Sequence, residues 1–108
     1  MTKVVIDPEV YFQVRGFQRY IVHHFQNRKA ASKIPKLINN QIRILHKFPT
    51  TGNFITNVYN NIRPTFKNYR RMIVKHYVIL YLYDSRNDTC YVDFIFDDRT
   101  NYLSKISE

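Results

Sequence analysis

Between Val10 and Tyr83 the chain has no acidic residue, while thirteen lysines and arginines fall in the same stretch. The carboxylates are confined to the first nine residues and the last twenty-five, so the formal charge of +9 is concentrated in the middle of the 108 residues. A field of one sign repels copies of itself and attracts nucleic acid, an acidic protein or an anionic membrane. A lone cysteine, Cys90, excludes an internal disulfide. No apolar run approaches the roughly 18 residues of a membrane span, and the N-terminus lacks the apolar core of a signal peptide, so a cytoplasmic protein is expected, with no membrane partner. No Gly-rich phosphate loop, zinc ligand set or serine triad is present, and no cofactor or metal is expected. His23 and His24, as helical neighbours, point about 100° apart, and Asp97 with Asp98 has the pattern of a turn pair.

What the chain does have is apolar and aromatic bulk. A hydrophobic fraction of 44%, with eight Phe and nine Tyr, lies outside the range of a disordered chain. The length fits a single domain over 1–108 with one modest core.

"KVVID" reads as a short strand, and "DPEV" as a helix start in which Asp7 caps, Pro8 takes the first helical position and Glu9 faces the positive end of the dipole. Val10, Val14, Phe17, Ile21 and Phe25 then recur at spacings of three and four, one face of a helix, with Arg15, Arg19 and His23 on another. After a break near "QNRKAAS" a second helical pattern buries Ile34, Leu37, Ile38, Gln41, Leu45 and Phe48 and leaves Lys33, Lys36, Asn40, Arg43 and Lys47 in solvent. Pro35 implies either a later start capped by Ser32 or a kink. "FPTTG" ends the helix, and "NFITNVYNNIRP" reads as loop with room for a short strand. "YRRMIVK", "YVILYLY" and "TCYVDFIF" are strands, the last two joined by "DSRND", and "DDRTNYLSKI" is a short helix or a tail.

The expected fold is α+β: an N-terminal strand and a helix hairpin packed on one face of an antiparallel sheet. The alternation predicts Val78, Leu80, Val92 and Phe94 under Val14, Phe17, Ile38 and Leu45, with the tyrosines of the sheet on the opposite face and Cys90 in the core.

This order of pieces resembles the RelE/ParE superfamily of bacterial toxins from type II toxin–antitoxin systems, its ParE-like branch more closely. The resemblance runs through "KVVIDPEV", "ILHKFPTTG", "YRRMIVKHYVILYLYD" and "VDFIFDDRTNY", almost the whole chain. It implies a toxin that is neutralised by a cognate acidic antitoxin in a hetero-oligomer. The implied target is DNA gyrase for a ParE-like member, or ribosome-bound mRNA for a RelE-like, metal-free endonuclease. The two activities share a fold, so the resemblance leaves enzymatic action open. A nontoxic basic module that binds RNA is the remaining alternative.

The positions that match the family's basic cluster are Arg70, Arg71 and Arg99. Tyr102 follows Arg99 at a helical spacing and is either a base-stacking ring or an anchor for the tail. His76 is the only histidine in the sheet region, a residue type that serves as general acid or base, and is either that or a turn residue. Guanidinium forks with aromatic rings beside them suit a phosphate chain or an acidic protein segment. The three arginines are expected to be exposed, carrying activity and little stability.

Overall fold

The computed structural model describes residues 1–108. Asp7 caps as its position before Pro8 predicts: its carboxylate accepts the Glu9 amide at 2.8 Å, between strand β1 (Lys3–Ile6) and helix α1 (Pro8–Phe25). Gln26 stops α1 in the left-handed region at φ 50°, and Asn27 at once caps helix α2 (Arg28–Arg43) by accepting the Ala30 amide at 3.0 Å. The hairpin therefore turns in two residues. Short 3₁₀ turns and the two-residue strand β2 (Asn53–Phe54) lead to strands β3 (Tyr69–Val74), β4 (Tyr77–Asp84) and β5 (Thr89–Asp97), and helix α3 (Leu103–Ile106) closes the chain. No helix is long and apolar enough to cross a membrane.

The fold is α+β, with the helix hairpin on one face of a five-stranded sheet in the order β1-β5-β4-β3-β2. Strands β2 to β5 form the antiparallel meander, while β1 joins β5 in parallel and makes the sheet mixed.

Of the two readings of Pro35, the later start gives way. Helix α2 starts ahead of Ser32, whose hydroxyl instead donates to the Lys29 carbonyl at 2.7 Å, and Pro35 sits inside the helix. Proline has no amide hydrogen to give the carbonyl four residues back, so the oxygen of buried Ala31 loses its helical partner. Gln18 of α1 supplies the substitute, its Nε2 donating to that oxygen at 3.0 Å. The gap in one helix is thus filled by a side chain of the other.

The faces of the sheet differ from the alternation expected. Tyr77, Ile79 and Tyr81 of β4 pack with Val10, Val14, Ile34, Ile38 and Leu45 beneath the helices. Val78 and Leu80 face the other way, where Ile55, Tyr102 and Ile106 cover them in a second core with Phe94 and Phe96. On β5, Cys90 and Val92 do face the helices. Then Phe94 pairs with Leu80 while Val92 pairs with Tyr81, which leaves Asp93 as the extra residue of a bulge. A one-residue bulge reverses the alternation beyond it, so Ile95 and not Phe94 joins the helix side. Phe25 and Phe48, assigned to the helix stripes, lie at and beyond helix ends and are exposed.

A tyrosine beneath the helices needs a partner for its hydroxyl. Tyr81 is fully buried and accepts the Gly52 amide at 2.9 Å. A Cβ on residue 52 would stand 2.4 Å from the Arg71 carbonyl oxygen and 2.8 Å from the Tyr81 ring, so only glycine admits this approach. Tyr77 lies against Phe17, ring centroids 4.9 Å apart. No buried side-chain nitrogen or oxygen lacks a hydrogen bond.

The Gln18 bridge makes two distant positions interdependent. Gln18→Leu should cost about 1–2 kcal/mol in the native chain, because it strands a buried carbonyl. In a Pro35→Ala background the restored amide takes over that carbonyl, and the same change should cost well under half as much. Urea unfolding of the four proteins in a double-mutant cycle measures the coupling.

Candidate functional site

Paired residues of neighbouring strands share a face, so Arg70 beside Tyr81 lies on the helix side and Arg71 beside Leu80 on the other. The two adjacent arginines are held by different parts of the chain. Arg70 donates from Nη1 to the Gly52 carbonyl at 2.8 Å and to the Thr50 carbonyl at 3.3 Å, with its guanidinium 3.9 Å from the centre of the Phe54 ring. Arg71 donates from Nη1 to the Tyr59 hydroxyl at 2.9 Å. Both are half-buried, unlike the exposed cations expected.

Tyr102 sits behind Arg71. Its hydroxyl is 2.7 Å from that of Tyr59, its ring stacks on Phe96, and the residue is 9% exposed. Burial, helped by the hydrogen bond to Tyr59, pushes the Tyr102 phenol well above the usual tyrosine range. The geometry is that of an anchor, since a base stacking there would have to displace Phe96 or Tyr59. On the same sheet face the Tyr69 hydroxyl donates to the bulge residue Asp93 at 2.6 Å, and burial with that bond likewise raises the Tyr69 phenol.

His76 and Arg99 lie at the far end of the sheet. His76 occupies the turn between β3 and β4 with its side chain 60% exposed, and its Nδ1 is 3.5 Å from Asp98 Oδ1. Arg99 grips Asp97 with both arms of its guanidinium, at 2.9 and 2.7 Å. From Arg70 to the end of β3 the strand runs four residues, about 13 Å at its usual rise. The five residues expected together are thus divided three ways: Arg71 with Tyr102, His76 with Arg99, and Arg70 by itself on the helix side.

Sequence reasoning did not bring together the residues that join His76, although the solvent stripe of the second helix includes Lys33. Lys29 and Lys33 of α2, Lys75 of the turn, His76 and Arg99 line one cleft of about 500 Å³. Lys29 escaped notice because the helix was expected to begin after it, and a start at Arg28 would have put Lys29 and Lys33 one turn apart on one face. Cys90 is buried, and burial pushes its thiol up to about 11, so it is packing and not a nucleophile. No group of three His, Cys, Asp or Glu is placed to hold a metal ion.

The charge balance is the most one-sided property of the surface. Of the seventeen lysines and arginines, Arg99 alone makes an ion pair with a carboxylate. The chain matches no protein-family model and no curated protein sequence.

Arg70→Ala should lower stability by about 1–2 kcal/mol, because it frees the Gly52 carbonyl and uncovers Phe54. Arg71→Ala should cost a similar amount through Tyr59. Chemical denaturation measures both against Lys47→Ala, an exposed cation with no such contacts.

Asp97 provides a pH signature. Burial alone would raise its carboxyl, but the hydrogen bonds and charge of Arg99 hold it below the ordinary carboxylate value. A carboxyl depressed in the native state stabilises the fold above its unfolded value, near pH 4, and that contribution drains away as pH falls through the native value. Arg99→Ala should therefore lose less stability than the parent on acidification below about pH 4. Thermal melts across that range compare the two.

Proposed function

We propose that the chain is a growth-inhibiting toxin of the RelE/ParE kind that works in the bacterial cytoplasm by binding, with DNA gyrase as its target. The observation that carries this reading is the set of unpaired cations: a surface with one ion-paired arginine among seventeen lysines and arginines is built to meet an anionic partner. Binding is favoured over cleavage because Arg70 and Arg71, which would have to converge on a phosphate, lie on opposite faces and are spent on contacts within the chain. The α+β architecture accords with the family's, and the antitoxin that suits this surface is an acidic segment that becomes ordered on contact. Its charge would speed the encounter, and exposed rings such as Phe12, Tyr20 and Phe25 would offer apolar anchorage.

Induction of the chain in a bacterium that lacks an antitoxin tests the proposal. Growth arrest with an early DNA-damage response, while translation continues, is the expected result. Arrest with immediate collapse of translation and cut mRNA would instead favour the ribonuclease reading, with His76 and Asp98 as the residues to substitute first. Unimpeded growth at full expression would remove the toxin reading altogether and leave the RNA-binding module.

A further inference from the structure

We propose that the cleft between the start of α2 and the β3–β4 turn binds a phosphate monoester. The proposal stands whether or not the chain is toxic, since it rests on three segments that fold together there. Lys29 and Lys33 come from one turn of α2, Lys75 and His76 from the turn, and Arg99 from the segment after β5. Of the two nearby carboxylates, Asp97 is gripped by Arg99 and Asp98 lies 3.5 Å from His76, and neither forms an ion pair with any of the three ammonium groups. A monoester carries nearly two charges and three free oxygens on a compact group, which suits several cations converging from different directions. The cavity of about 500 Å³ falls in the range of small-molecule sites, and Ile21, Ile34 and Tyr77 give it an apolar floor for the body of the ligand.

The backbone supplies an independent observation. Lys75 has φ of 52°, in the left-handed region that glycine and asparagine occupy more readily than lysine. Strain at a turn is a pointer to a functional side chain, and here the strained residue is the one that delivers an ammonium group to the cleft. The shared ligand chemistry is a terminal phosphate on a nucleoside, either free or at the end of a nucleic-acid strand.

The full chain would be titrated with adenosine monophosphate, inorganic phosphate and adenosine, with backbone NMR as the readout. Adenosine monophosphate and phosphate should shift the amides of Lys29, Lys33, Lys75 and His76, and adenosine should not. Lys29→Ala with Lys75→Asn should weaken adenosine monophosphate by about tenfold or more, the loss expected when charged hydrogen bonds are removed. Lys75→Asn alone should melt no lower than the parent, which separates lost binding from lost folding. Arg43→Ala with Lys47→Ala, at and beyond the far end of α2 and so about 15 Å or more along the chain from Lys33, should leave affinity within about twofold, because exposed charges beyond a Debye length are screened. Equal loss in that control, shifts spread over the whole basic surface, or equal binding of adenosine would overturn the site. A terminally phosphorylated oligonucleotide that binds more tightly than adenosine monophosphate assigns the site to a strand end, and the reverse assigns it to a free nucleotide.

Discussion

Strand β4 has no free face. The helix hairpin closes over Tyr77, Ile79 and Tyr81, while the 3₁₀ turns and α3 close over Val78 and Leu80. Most of the other packing follows from this double burial. Tyrosines beneath the helices must hide a ring and satisfy a hydroxyl, so Gly52 has to be a glycine and has to lie where its amide meets Tyr81. The second face needs its own cover, and the loop-rich stretch before β3 is retained as the support for Ile55 and Tyr59. Even the C-terminal turn is part of the core, since Ile106 is fully buried.

Double burial also explains what the sequence could and could not reveal. The helices were legible because each has one dry side and one wet side, which gives the 3.6-residue period a phase. The Asp7 cap was legible too, as local chemistry within three residues. The strands were found, but alternation in "YVILYLY" carries no phase when both neighbours of the sheet are apolar. The bulge at Asp93 then reversed whatever phase remained. Pro35 misled for a related reason, because the group that makes a proline tolerable inside α2 is a glutamine on another helix.

The candidate site was legible in kind but not in arrangement. Arg70 and Arg71 stood out as a pair, yet neighbours on a strand point to opposite faces and cannot share a phosphate. The structure treats the two cation types differently. Planar guanidiniums at 70, 71 and 99 are used as forks and stacking plates against carbonyls, rings and a carboxylate, whereas the ammonium groups of Lys29, Lys33 and Lys75 are left with their charge uncompensated. A count of basic residues treats these as equivalent, although the three guanidiniums spend donors on partners within the chain and the three ammonium groups do not.

The parallel pairing of β1 with β5 bears on the order in which the chain takes shape. Residues 3 to 6 find their partners only in 89 to 92, and Thr2 Oγ1 donates to Asp88 across 86 positions. As the protein emerges from the ribosome, the helix hairpin can form from contacts close in sequence long before the sheet that covers its apolar stripe exists. The N-terminal strand must therefore wait, unpaired, through the synthesis of nearly the entire chain. Its shortness, four residues led by Lys3, limits what it can pair with by mistake in the meantime.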